Sequence, residues 1–320
     1  MNVPPANYSV NAPTPSAIEL TVPDECAGLR LDQALVRLLP GFSRSRLALW
    51  IRQNQVALGG KTARPRQKVW GGEKITVVPA PDPSEFAFRP QDIPLDIVFE
   101  DQALLIVNKP AGLVVHPGSG NWQGTLLNAL LKHGPQLAHL PRAGIVHRLD
   151  KDTSGLMVVA KTLTAHADLV RQLQARSVTR EYLAVVHGRV ARDGTVDAPI
   201  GRHPASRTRM AVVARGKPAV TRYQVVERFA QATLLRCRLE TGRTHQIRVH
   251  LNSIGHPLIG DPVYGRKRTR GAPDAVPFGR QALHAEKLAL VHPSTRLTRS
   301  WHAALPHDMR DLLAALKTES

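Results

Sequence analysis

Cysteine is almost missing from this chain: Cys26 and Cys237 are its two thiols in 320 residues. Two such distant residues make a poor disulfide framework and a poor zinc site. Long apolar runs are missing too, and none approaches the ~20 residues a spanning helix needs. The start, Met1 to Ala17, is polar and proline-bearing, with neither a basic stretch nor an apolar core, so it does not read as a signal peptide. Aromatic residues make up 4%, and no helix shows a cationic face backed by a broad aromatic-aliphatic one. Attachment to a membrane surface is therefore disfavoured. Acids are scarce: 25 Asp and Glu stand against 43 Lys and Arg, a net charge of +18. A charge of that sign speaks about partners, and nucleic acid leads, through phosphate neutralisation. The expectation is a soluble protein of a reducing cytoplasm.

Several chemistries are excluded in the same way. There is no Gly-x-x-x-x-Gly-Lys-Ser/Thr loop, no dinucleotide-binding glycine fingerprint, and no His-x-Glu with Cys-x-x-Cys. His245 and His250 have the wrong spacing for a metalloprotease pair and are expected to serve structure or RNA contact. A P-loop hydrolase, a Rossmann dehydrogenase and a zinc deaminase are therefore not expected.

What is present suffices for a full core, at 42% hydrophobic residues, and the length suits two domains. Residues 1–17 read as a disordered tail. A small basic module follows over 18–78. Leu31, Ala34, Leu35, Leu38 and Leu39 recur at helical spacing until Pro40-Gly41. Ser43 is placed to cap a second helix bearing Leu47, Trp50 and Ile51. Arg44 and Arg46 lie in its first turn, against the helix dipole, an arrangement that suits phosphate held by amides and guanidinia together. Short strands with glycine turns complete the module. Proline-bearing residues 79–92 read as a linker.

The large domain is then 93–320. Strands are expected at Ile97–Phe99, Leu104–Val107, Leu156–Val159, Tyr182–Val186, Val220–Val226 and Thr233–Leu239. Helices are expected at Leu126–Leu131, Leu163–Leu173, around Ile247 to Ile254, and near Leu312 to Leu316. Adjacent strands break any βαβ repeat, so the predicted class is α+β, with a mixed, largely antiparallel sheet.

The densest chemical signal is His147-Arg148-Leu149-Asp150-Lys151-Asp152-Thr153-Ser154-Gly155. It sets a carboxylate, Asp150, among cations, on a loop that leads into the apolar run at Leu156. Taken alone it would pass for a solvated charged turn. Its company changes that reading. Gly144-Ile145-Val146 precede it; Asn108-Lys109-Pro110, Val115-His116-Pro117-Gly118 and Arg180-Glu181-Tyr182 flank it at a distance. Glu240-Thr241-Gly242-Arg243-Thr244-His245-Gln246-Ile247-Arg248-Val249-His250, Gly260-Asp261-Pro262 and Leu283-His284-Ala285 follow. In this order the segments resemble the RluA/RluD family of pseudouridine synthases, from about Leu31 to about Met309. The N-terminal module looks like an S4 RNA-binding domain. Ile200-Gly201-Arg202-His203-Pro204 and Gly260 to Gly265 look most like the branch that modifies the helix 69 stem-loop of bacterial 23S ribosomal RNA.

That resemblance implies isomerisation of uridine, in which N1–C1′ breaks and C5 joins C1′ without redox change, metal or nucleotide. It assigns the carboxylate to Asp150, its paired cation to Arg248, and the tyrosine against the base to Tyr182. An ionised carboxylate could add to C1′ or C6, or accept the C2′ proton; the residues do not choose. Arg148 would fill the space vacated by the flipped base, and its planar cation suits that place. His147, Arg243, Arg44 and Arg46 are further candidates for substrate contact. Two basic runs, Arg202, Arg207, Arg209, Arg215 and Lys217, then Arg266, Lys267, Arg268 and Arg270, suit phosphate contact. The expected partner is ribosomal RNA, as large-subunit RNA or a precursor particle, met by a monomer. A different structured RNA, or a non-catalytic assembly factor, are the alternatives; the second would not need Asp150, Tyr182 and Arg248 together.

Overall fold

The computed structural model describes residues 16–79, 86–118, 120–206, 208–265 and 277–318. Most of the N-terminal tail, residues 80–85 of the linker, Arg207 and the run Arg266, Lys267, Arg268 and Arg270 lie outside them. The chain divides into two compact units, Met1–Glu85 and Phe86–Ser320.

In the smaller unit, β1 (Ile18–Thr21), α1 (Leu31–Leu38), α2 (Arg44–Arg52), β2 (Val56–Leu58), β3 (Lys61–Thr62) and β4 (Lys74–Val77) follow one another. The strands form an antiparallel sheet in the order β1-β4-β2-β3. Leu31, Ala34 and Leu35 of α1 and Leu47, Trp50 and Ile51 of α2 share one core with Val56, Ile75 and Val77. These are the apolar stripes that the spacing predicts. Ser43 caps α2 as expected, its Oγ accepting from the Arg46 amide at 3.3 Å.

The larger unit contains β5 (Ile97–Glu100), β6 (Leu104–Lys109), α3 (Leu126–His133), β7 (Ser154–Ala160), α4 (Leu163–Gln174) and β8 (Thr179–His187). Then come β9 (Gly194–Asp197), β10 (Ile200–Arg202), β11 (Met210–Val212), β12 (Val220–Arg228), β13 (Ala232–Leu239) and α5 (Gln246–Ser253). β14 (Leu283–Val291), β15 (Thr298–His302) and α6 (His307–Thr318) close the chain. Nine strands form one sheet, β5-β6-β7-β14-β8-β13-β12-β9, with β15 on β14. β7 and β14 are its parallel pair and the other pairings are antiparallel. The fold is therefore α+β with a mixed, mostly antiparallel sheet.

Both faces of the central strands are covered. Leu105, Val107, Met157, Val159, Ala184, Val186, Leu235 and Cys237 pack under α3 and α5. On the reverse, Leu104, Ile106, Leu156 and Val158 meet Ala165 and Leu169 of α4, while Leu183, Val185 and Leu234 meet Met309, Leu312 and Leu316 of α6. Double coverage explains why β6 and β7 read as unbroken apolar runs rather than alternating ones. The short strands β9 to β11, and β14 and β15, were not expected from the pattern. Residues 86–92, which composition places in the linker, are instead tied to α3. Asn128 donates to the carbonyls of Ala87 and Arg89 at 3.1 and 2.9 Å, and the Gln91 amide donates to its carbonyl at 3.0 Å.

Candidate active site

Asp150 sits on the segment that feeds β7, and that segment is pinned at many points. Gly144 and Gly155 bound it, both at positive φ (82° and 112°) and both so close to backbone of Ala160 or Ala285 that a Cβ would collide. Only glycine suits both demands. His147 Nε2 accepts the Val158 amide at 3.1 Å, and Leu149 is buried in the core. Lys109 Nζ donates to Lys151 O at 2.9 Å, as well as to Pro110 O and Leu113 O. Arg280 Nη1 donates to Asp152 O at 3.0 Å, and Gln281 Nε2 to Thr153 Oγ1 at 3.2 Å. The loop is thus a rigid mount for one carboxylate.

That carboxylate meets Arg248, in the first turn of α5. Arg248 Nη1 donates to Asp150 Oδ2 at 2.9 Å. Its Nε and Nη2 donate to Asp261 Oδ2 and Oδ1 at 2.7 and 2.9 Å. The guanidinium is 5% exposed and the Asp261 side chain fully buried, whereas Asp150 keeps 16%. Burial works against the charged guanidinium, but the Asp261 bonds and the charges of Asp150 and Asp261 outweigh it and raise the Arg248 pKa. Burial likewise pushes Asp261 up, yet the bond and charge of Arg248, with the Tyr264 and Val263 amides, bring it below the carboxylate range. A bidentate ion pair fixes the arginine, and the arginine's third edge is offered to Asp150.

Tyr182 lies on β8, paired with Cys237 and Ala285, and is 5% exposed. Burial, reinforced by the charge of nearby Asp150, raises its phenol pKa, with Arg180 opposing. The three residues Asp150, Arg248 and Tyr182 therefore come together from a loop, a helix and a strand. His245 joins them. Its Nε2 lies 3.9 Å from Asp150 Oδ1, and its Nδ1 2.9 Å from Tyr264 Oη. The Tyr264 ring also lies against Arg248, 5.1 Å from its guanidinium carbon. Asp261, Tyr264 and His245 belong to segments quoted for the family resemblance, but sequence reasoning gave Asp261 and Tyr264 no role and His245 only that of structure or RNA contact. The signal was weak: an aspartate beyond the buried pair Leu258-Ile259, and a tyrosine three residues on.

The other sequence candidates fare unevenly. Arg148 is exposed beside Asp150 and, among the described residues, has no carboxylate partner; its charge helps depress His116, which burial and Arg142 also push down to about 4. His147 is committed to the backbone of β7, and burial followed by the Arg180 charge pushes its pKa down to about 3, so it reads as a structural pin rather than a substrate ligand. Arg243 is exposed, its Nε bonded to Pro218 O at 3.0 Å. In the smaller unit the expected phosphate clamp is partly spent within the protein. Arg44 pairs with Asp32 at 2.8 Å, sharing it with Arg30, and Arg46 stacks over Trp50 and Phe42. Arg202, Arg215 and Lys217 are exposed, while Arg209 bonds Val263 O and leans on Tyr264. His250 is structural, bonded to Thr221 and Ala198. A cavity of about 540 Å³ behind the loop is lined by Lys109, Ser154, Arg280, His284 and Asp308 but by none of Asp150, Tyr182 and Arg248.

Comparison with known proteins agrees with this geometry. The RNA pseudouridylate synthase family model matches residues 103–253, and the S4 domain model matches residues 29–75. The chain belongs to the RluA/RluD family of RNA pseudouridine synthases, enzymes that isomerise uridine. It is 60% identical over 304 residues to the ribosomal large subunit pseudouridine synthase D of Nitrosomonas europaea, covering 94% of this chain and 88% of the relative. It is 54% identical over 307 residues to the Escherichia coli K12 protein of the same description, covering 93% and 94%. Among solved structures, human RNA pseudouridylate synthase domain containing 4 matches at TM-score 0.54 and 28% identity, covering 69% of this chain and 92% of that one.

Proposed function

We propose that this chain converts uridine to pseudouridine in bacterial large-subunit (23S) ribosomal RNA, at the helix 69 stem-loop, with Asp150 as the reactive carboxylate. The observation that carries the reading is the 2.9 Å pairing of Asp150 with an arginine already locked by buried Asp261. A carboxylate needs such a cation once a flipped base closes the site over it. The substrate class rests on the relatives named for the large ribosomal subunit, which align with nearly the whole chain.

Asp150 acts at the sugar or the ring, by addition to C1′ or C6 or by taking the C2′ proton. The N1–C1′ bond breaks, the base turns, and C5 bonds to C1′; C5 loses a proton and the old N1 gains one. Tyr182 packs its ring on the base, and its hydroxyl helps remove the C5 proton. Arg148, exposed and with no carboxylate partner among the described residues, fills the gap left in the RNA. Extracting the base costs a few kcal/mol, least in a loop. Arg243, Arg202, Arg215 and Lys217 contact phosphates, and the S4 unit adds affinity. The enzyme works in the bacterial cytoplasm, where this RNA is made, and as a monomer, which sedimentation at working concentration checks.

The decisive test is carbodiimide mapping of ribosomal RNA from a strain lacking this protein. Pseudouridine is expected to vanish from helix 69, and an unchanged pattern would overturn the target. In vitro, Asp150→Asn should abolish isomerisation while RNA affinity stays within about threefold, because shape is kept and only the charge and nucleophilicity go; turnover by that variant would defeat the assignment.

A further inference from the structure

We propose that His245 is a positioning residue for Asp150: with its ring set by Tyr264, it presents an Nε2–H to the carboxylate oxygen that Arg248 leaves open. The inference rests on the assignment of Asp150 as the reactive group.

Tyr264 Oη lies 2.8 Å from the backbone nitrogen of Met210, which can only donate. The oxygen accepts there, and the arrangement that also gives its own hydrogen an acceptor is donation to its other neighbour, His245 Nδ1, at 2.9 Å, the direction this inference assigns. A nitrogen that accepts carries no hydrogen, so the neutral ring is protonated at Nε2. Burial, the largest influence on this ring, favours the neutral form, with the Arg248 and Arg148 charges acting the same way and Asp150 and Asp261 opposing. The Nε2–H then faces Asp150 Oδ1 at 3.9 Å, while Oδ2 is held by Arg248 at 2.9 Å.

At 3.9 Å the contact is too long for a hydrogen bond. Catalytic hydrogen bonds in ligand-free sites are often long and tighten only in the substrate complex. A base entering the pocket closes this gap, fixing Oδ1 as Arg248 fixes Oδ2. Each oxygen keeps a lone pair for the reacting atom.

The backbone is arranged for the ring. His245 is left-handed, with φ 57° and ψ 24°, a conformation few residues other than glycine adopt. It is held there by Gln246, whose Oε1 accepts from Thr241 Oγ1 at 2.7 Å and from the Arg243 amide at 3.0 Å. Met210 belongs to the β10–β11 ribbon, so the hydroxyl that orients His245 also anchors the strand pair next to exposed Arg202.

Two variants and one spectrum test this in the full-length enzyme. His245→Asn removes the ring but suits a left-handed backbone, and Tyr264→Phe keeps the ring against Arg248 but removes the hydroxyl. Each should lower kcat roughly 10- to 100-fold with KM changed less than about threefold, the pattern of a misplaced catalytic group rather than lost binding. Nitrogen NMR of the labelled wild-type protein should show His245 neutral, with Nε2 protonated and Nδ1 bare. Hydrogen on Nδ1 overturns the inference, and this measurement decides even if a variant does not fold. Asp150→Asn is the control. If it is inactive while both variants keep wild-type kcat, the positioning role is lost and the Asp150 assignment stands; if it turns over, both are lost.

Discussion

Arg248 makes three carboxylate contacts with one planar group, two to Asp261 and one to Asp150. A flexible ammonium cannot reproduce that fork. Asp261 has no contact with Asp150 of its own, yet it decides where the guanidinium points. Asp261→Asn should therefore lower kcat and cost about 3–5 kcal/mol of stability, because it leaves a buried cation half-paired; urea unfolding and single-turnover assays check the two effects. The pH dependence has a definite sign. Folded Asp261 binds its proton less tightly than the unfolded chain does. Its stabilisation is complete above the ordinary carboxylate range, near pH 4, and is lost as pH falls through the lower native value. The acid-side fall in urea midpoint should flatten in the Asn variant.

At the scale of elements, the site is a loop stretched between neighbours. β7 and β14 run parallel with Gly155 opposite Ala285, and the loop carbonyls before them are held by Lys109 and Arg280. Gly155→Ala should strain the backbone at φ 112° and push β14 away, at a cost of about 1–3 kcal/mol or more. A thermal melt should show the loss, and kcat should fall with it because Asp150 moves with the loop. Strands β6, β7 and the centre of β8 are readable as apolar runs because both their faces are buried, whereas β13 is readable from alternation, with Arg236 and Arg238 facing away from Leu235, Cys237 and Leu239. β14 is not readable, since His284 and Glu286 interrupt its pattern. They are satisfied within the fold: His284 bonds Ser154 Oγ at 2.9 Å, and Glu286 pairs with Arg236 at 3.4 Å. The ribbon β10–β11 has no periodicity to read, because each strand has three residues and β10 carries a glycine and an arginine.

The whole molecule joins a compact basic module to the domain that holds the carboxylate. With a charge of +18, much of its RNA affinity should come from released counterions. A chain starting at Phe86, where the larger unit begins, should bind RNA more weakly and with a shallower dependence of log Kd on log salt. An unchanged slope in filter binding across salt concentrations would deny the smaller unit a phosphate-binding part. Arg44 and Arg46 are not where most of that slope should originate, given their ties to Asp32 and to Trp50 and Phe42.

Composition and motif order alone determined a great deal: a basic two-part α+β protein and Asp150, Tyr182 and Arg248 as the residues to watch. These are local or compositional properties, and each motif is written in consecutive residues. Tertiary structure alone decided that Asp261 locks Arg248, that His147 is a structural pin, that Arg44 is paired, and that His245 and Tyr264 stand at the carboxylate. Those facts depend on side chains from distant segments meeting at hydrogen-bond range, and no spacing along the chain specifies which buried charges find one another.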